Sequence, residues 1–154
     1  MFSILLSILL SGDILHGKVV GVHDGDTLTV LVGTTQHKIR LAGIDAPESK
    51  QPFGTRSQQS LSEMTFGKNV SVDVETKDRY GREVGTVHAG KVNANLEQVR
   101  RGMAWHYVQY SKDQTLADAE TAARAAKAGL WIDEKPIPPW EWRKARRTST
   151  APAR

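Results

Sequence analysis

Cysteine is absent from the 154-residue chain, which excludes a disulfide framework, a thiolate metal site and a cysteine nucleophile. The five histidines, at positions 16, 23, 37, 88 and 106, never fall at a ligand spacing such as HxxxH, so zinc is not expected. No internal repeat is visible, and no apolar run is long enough to cross a bilayer as a stable helix. An excess of one charge is also missing from most of the chain. The formal net charge is +4, but it comes from the end: Arg143, Lys144, Arg146, Arg147 and Arg154 face a single acid, Glu141, while residues 1–139 are balanced. A short basic tail is a solvated terminus by default, so totals alone do not argue for a polyanion-binding protein. At this length one ordinary domain can bury a core.

The chain opens with an apolar stretch, Phe2 to Leu10, broken only by Ser3 and Ser7 and followed by Ser11-Gly12. This resembles the apolar core of a secretory signal peptide, although no Lys or Arg precedes it and no A-x-A follows. The expectation is a leader over 1–17 and a secreted or periplasmic protein; a buried N-terminal element in a cytoplasmic protein is the competing reading.

Alternation then takes over. Lys18–Val22 reads as a strand, and Leu28, Val30 and Val32 alternate with Thr29 and Leu31. Lys38–Leu41 alternates again beyond Gly33-Thr34-Thr35, so the pair reads as a hairpin. Val70, Val72 and Val74 mark a fourth strand and Val84–His88 a fifth. Helices are expected over Thr55–Phe66, from Ala94 behind an Asn93 cap to Gly102, and over Thr115–Ala128. Five short strands with inserted helices make an α+β, mainly β, OB-like barrel spanning 18–134. Pro136-Ile137-Pro138-Pro139 is not expected to be helical, and 135–154 reads as a basic tail clipped down by Trp140 and Trp142.

The chemistry-bearing residues flank the hairpin. Asp24-Gly25-Asp26-Thr27 precedes it, and Arg40 to Glu48 (RLAGIDAPE) closes it. A hairpin returns its ends to one place, so Asp26 and Asp45 should meet. Carboxylates forced together need a positive partner, and an all-oxygen ligand set suits Ca²⁺ or Mg²⁺. Glu48, behind the stiff Pro47, could reach the same place and take a proton from an attacking water. Arg40 and Arg82 could grip phosphate oxygens, because guanidinium forks match them and stay charged. Carboxylates, a hard cation and two arginines together describe phosphodiester hydrolysis, whose transition state gathers negative charge.

Each motif alone reads as an ordinary turn; it is the combination that points to a site. D-G-D-T, then R-L-A-G-I-D-A-P-E, then D-R-Y-G-R at residues 78–82, in this order, resembles the staphylococcal (micrococcal) nuclease family from about Lys18 to Trp131. The resemblance implies a five-stranded OB barrel with three helices that cleaves DNA and RNA with Ca²⁺ and leaves 3′-phosphates. It implies Asp26, Asp45 and the Ala46 carbonyl as metal ligands, Glu48 as general base, and Arg40 and Arg82 as the catalytic arginines. It also implies Arg79, Tyr80 and Tyr110 at the nucleotide pocket. Ala46 stands where the best-studied member has threonine, Arg79 where it has lysine, and Val108 where it has a second pocket tyrosine.

The expected protein is therefore a monomeric calcium-dependent endonuclease acting on DNA and RNA, without a stable membrane span. The alternative is a non-catalytic OB module that binds single-stranded nucleic acid, which would have no use for the acidic pair or Glu48. A sugar- or protein-binding OB domain would leave the arginines idle.

Overall fold

The computed structural model describes residues 13–149. The expected leader core, Phe2–Leu10, and Arg154 of the tail lie outside the described residues. Strands β1 (Ile14–Asp24), β2 (Thr27–Val32) and β3 (Thr35–Leu41) form the expected antiparallel meander. The β2–β3 hairpin turns over two residues, Gly33-Thr34, with Val32 paired to Thr35. β1 starts four residues earlier than the alternation suggests, because Ile14 to Gly17 pairs with β5 (Asn69–Lys77) instead of β2. Antiparallel to β5 runs β6 (Glu83–Ala89), extended by the two-residue β7 (Val92–Asn93). A parallel pairing of β3 with β6, Ile39 to Glu83 through Leu41 to Gly85, closes five strands into a barrel. Closure removes the free edges that an open sheet would expose.

The barrel interior is filled by the inward-facing set of each strand. Val19, Leu28, Val30, Ile39, Val72 and Val87 are fully buried, and Leu41 is nearly so. Helix α1 (Gly54–Thr65) adds Leu61 and Met64 to this core, and α2 (Ala94–Arg100) adds Val99. Asn93 caps α2 as expected, its side chain accepting from Leu96 N at 3.1 Å. Two further short strands, β4 (Ile44–Asp45) and β8 (Trp105–His106), pair outside the barrel.

A second apolar cluster lies beyond β8. Trp105, Leu130 and Trp131 are buried there with Ala123 of α3 (Gln114–Ala125), and Phe53 and Trp140 pack against them. α3 ends before the expected Ala128: Lys127 turns to φ 52°, and a 3₁₀ turn, Gly129–Ile132, follows. The expectation for the C-terminus is corrected more fundamentally. A fourth helix, α4 (Pro139–Ser149), occupies the stretch read as a tail. Proline bars helix interiors but suits the first helical position, where its missing N–H has no bond to lose. Among the described residues no helix is long and apolar enough to cross a membrane.

Candidate active site

One end of the barrel gathers the acidic loops. Thr27 pairs with Arg40 across the hairpin, and Leu41 N donates to Asp26 O at 2.8 Å, so Asp26 stands beside the end of β3. Asp45 is brought back to it in β4, which is pinned by pairing with Trp105. Asp26 accepts the Ala46 N–H at 2.7 Å through Oδ2 and the Thr27 hydroxyl at 3.0 Å through Oδ1. The loop before it is braced from below: buried Gln98 of α2 donates to Gly25 O at 2.7 Å and to Ser57 O at 3.0 Å. Gly25 permits this packing, because a Cβ there would collide with Ser57 and Ala46.

The sequence expectation that Asp26 and Asp45 converge is met through Arg40. Its Nη2 lies 3.4 Å from Asp26 Oδ2 and 3.3 Å from Asp45 Oδ1. Its Nη1 donates to the carbonyls of Leu41 at 2.8 Å and Ile44 at 2.9 Å, so the fork is held at both ends. Burial would raise the Asp26 carboxyl, but the Arg40 charge and hydrogen bonds from Asp24, Ala46 and Thr27 outweigh it and hold Asp26 below the ordinary carboxylate range. Asp24 takes the consequence: burial, then the Asp26 charge, push it up to about 7. Burial raises Asp45 too, against the pull of Arg143 and Arg40.

Arg143 is the residue that sequence reasoning missed. From α4 its Nη1 and Nη2 reach Asp45 Oδ1 and Oδ2 at 3.1 and 2.8 Å, and Nη1 also reaches Glu48 Oε1 at 2.8 Å. Its hydrogen bonds to Asp45 and Glu48 outweigh desolvation and raise its already high affinity for its proton. Glu48 thus joins Asp45 as expected, but through a guanidinium from the last helix. The Glu48 turn is itself tied toward α4, since Gln51 donates to Ile137 O at 2.6 Å and accepts from Glu48 N at 3.1 Å. The available signal was Pro139, a permitted helix start, followed by Trp140 and Arg143 three positions apart, which share one helix face.

Arg82 is positioned differently. Its Nε donates to Asp78 Oδ2 at 2.7 Å, and Asp78 Oδ1 accepts the backbone N–H groups of Tyr80 and Arg82. These bonds hold the Asp78 carboxyl below its usual range despite desolvation. The turn is nonetheless at the same end of the barrel as Arg40, because Val84, two residues on, pairs with Arg40. Among the described residues Arg82 is held by Asp78 and not by the carboxylate cluster. Arg79 and Arg82 both lie against the Tyr80 ring, at 5.0 and 5.6 Å, and Tyr80 is 69% exposed. Tyr110 is 72% exposed and meets Tyr107 edge-on at 4.8 Å; Tyr107 in turn stacks on Trp140 at 5.4 Å. Val108 points outward as well.

Whether these residues suit a hard cation can be judged from their atoms. Asp26, Asp45 and the Ala46 carbonyl offer only oxygen, and the two carboxylates come together on one Arg40 nitrogen, an acidic pair whose mutual repulsion a divalent ion would relieve. Among the described residues no three His, Asp or Glu side chains enclose an ion in this arrangement, and both Asp45 oxygens are engaged by arginines. The donor chemistry fits; binding would require the Arg143 grip on Asp45 to yield.

Residues 38–133 match the family model for the staphylococcal nuclease homologue. A protein of Haemophilus influenzae described as an uncharacterized endonuclease is 46% identical over 135 residues, 87% of this chain and 76% of its own length. A micrococcal nuclease of Shigella flexneri is 43% identical over 146 residues, 88% of this chain and 84% of its own. The staphylococcal-like nuclease CAN1 of Arabidopsis thaliana is 46% identical over 110 residues, 71% of this chain and 34% of its own.

Proposed function

The chain belongs to the staphylococcal nuclease family, and from that premise we propose that it is an endonuclease that hydrolyses phosphodiester bonds in DNA and RNA. The observation that carries this reading is the convergence of Asp26, Asp45 and Glu48 at one barrel end around the guanidinium groups of Arg40 and Arg143. Acids gathered beside arginines suit a reaction that needs both a base and a grip on phosphate.

In this reading Asp26, Asp45 and the Ala46 carbonyl hold Ca²⁺, which supplies fixed positive charge for the developing charge on phosphorus oxygens. Glu48, a partly exposed carboxylate, orients a water and takes its proton as the water oxygen bonds to phosphorus. The bond from phosphorus to the 5′-oxygen breaks, a proton returns to that oxygen, and the products are a 5′-hydroxyl and a 3′-phosphate. Arg40 is positioned by its Nη1 bonds to two carbonyls, and its Nη2, which rests on Asp26 and Asp45, would turn from them to meet the phosphoryl group. Arg82 joins it by leaving Asp78, its partner in a partly exposed pair. Arg79, Tyr80 and Tyr110 border the nucleotide as exposed charged and aromatic groups.

The test is direct. Purified protein incubated with plasmid DNA or with RNA should cleave both in calcium and neither in chelator, leaving 3′-phosphate ends. Glu48→Gln should bind the substrate and lose turnover by at least about a hundredfold. Binding without cleavage by the unaltered protein would turn the reading over to a non-catalytic OB module.

A further inference from the structure

Gln51 is a buried amide that is used at both ends. Its Nε2 donates to the Ile137 carbonyl at 2.6 Å, and its Oε1 accepts the Glu48 N–H at 3.1 Å. Its backbone continues the pattern: Gln51 N donates to Glu48 O and Gly54 N to Gln51 O, both at 2.9 Å. The turn that begins at Glu48 therefore closes on itself and runs directly into α1. Gly54 lets it close this tightly, because a Cβ there would collide with the Glu48 carbonyl.

The far partner is as firmly set. Ile137 follows Pro136, whose φ is fixed, and precedes Pro138, which confines it to extended backbone. The next carbonyl, that of Pro138, accepts from Glu141 N and Trp142 N at 3.0 Å and so begins α4. The proline-rich stretch thus offers one carbonyl to the Glu48 turn and the next to the helix that carries Arg143. Glu48 is held twice, and the two holds differ. Arg143 grips the carboxylate, which must be released before it can take a proton. Gln51 grips only the main chain of Glu48, so its bonds survive every stage of the reaction.

Resting on the reading of Glu48 as general base, we propose that Gln51 is the positioning residue for that base: its amide ties the Glu48 turn to the Ile137 carbonyl and fixes where the carboxylate stands once Arg143 has let go. The place calls for a donor and an acceptor on one uncharged side chain, which a carboxamide provides. Base and attacking water must meet at hydrogen-bond distance, and a misplacement of about 1 Å costs on the order of a hundredfold in rate. Gln51 touches neither water nor phosphate; it acts through Glu48.

The experiment is a double-mutant cycle. Both kcat and KM for a defined oligonucleotide in saturating calcium are measured for the full chain, Gln51→Met, Glu48→Gln and the two changes together. Methionine keeps the length of the side chain and removes both of its hydrogen bonds. Gln51→Met should lower kcat by about thirtyfold and leave KM within about twofold, since the amide makes no substrate contact. In the Glu48→Gln background the same change should cost less than about twofold, because the base it positions is already gone. An unchanged kcat in Gln51→Met, or a loss of equal size in both backgrounds, overturns this role. Should Gln51→Met be unfolded at the assay temperature, Gln51→Asn, too short to span both partners, takes its place in the cycle with the same expectation. Thr65→Val, which removes another buried hydrogen bond at the opposite end of α1, should keep kcat, and an equal loss there also overturns the role. Full activity in Glu48→Gln defeats the base reading and the positioning with it. A large loss in Glu48→Gln beside an additive effect of Gln51→Met defeats the positioning alone.

Discussion

Arg143 donates to both carboxylate oxygens of Asp45, at 3.1 and 2.8 Å, across 98 positions of sequence. The Asp45 side chain is only 1% exposed, so its charge depends on the arginines that face it. A helix at the end of the chain thereby completes an acidic site built from its first third.

Arg143→Ala should lower the stability of the calcium-free protein by about 2 kcal/mol. Breaking a fully buried pair typically costs about 3–5 kcal/mol, and the one-third exposure of Arg143 reduces that. In saturating calcium the loss should shrink, because the ion replaces the missing countercharge. Urea unfolding in chelator and in calcium measures both, and equal stability of the two proteins in chelator would contradict the pairing.

Arg40→Lys should not behave as a conservative change. Arg40 spans two aspartates and two carbonyls with one planar fork, which a single ammonium cannot reproduce. Nuclease activity should fall by about a hundredfold or more, on the order of 3 kcal/mol in the transition state. Steady-state cleavage of a defined oligonucleotide gives the number; a loss below tenfold would remove Arg40 from the phosphate.

Trp140→Ala should undock α4. The ring packs on Tyr107 and Trp105, and without it α4 loses its aromatic anchor on the body of the protein. A half-buried tryptophan removed from such contacts should destabilise by about 2–3 kcal/mol. Trypsin should then cut within Arg143–Arg147 faster than in the unaltered protein, and an unchanged cutting rate would show the stack to be dispensable.

Stability without calcium should fall as pH rises from about 4 to about 7. The Asp24 carboxyl, at about 7 when folded against 3.8 for an unburied aspartate, keeps a proton across that window which the unfolded chain has released. The folded state therefore binds more protons there, and raising the pH favours unfolding until the group is ionised in both states. Asp24→Asn should flatten this dependence, as read from unfolding midpoints over the same range in chelator.

The convergence of Asp26 and Asp45 was legible because a two-residue-period pattern sets a hairpin's register, and register sets where its ends meet. The Asn93 cap and the buried Trp131 were legible for similarly local reasons. The start of β1 was not, since Ile14 to Gly17 is strand only by pairing with β5, more than fifty residues away. Nor was α4, whose proline-rich approach and dense charge resemble a solvated end.

Local chemistry in the chain determined the strands, the acidic turns and the set of groups available for phosphodiester hydrolysis. Tertiary structure alone decided that Arg143 would sit between Asp45 and Glu48, that Arg82 would rest on Asp78, and that Arg146 and Arg147 would face Lys50. Alternation and capping act over a few residues and leave a mark in sequence. The docking of a final helix depends on one tryptophan finding Tyr107 and Trp105 on a surface formed by distant segments, and no local pattern encodes that meeting.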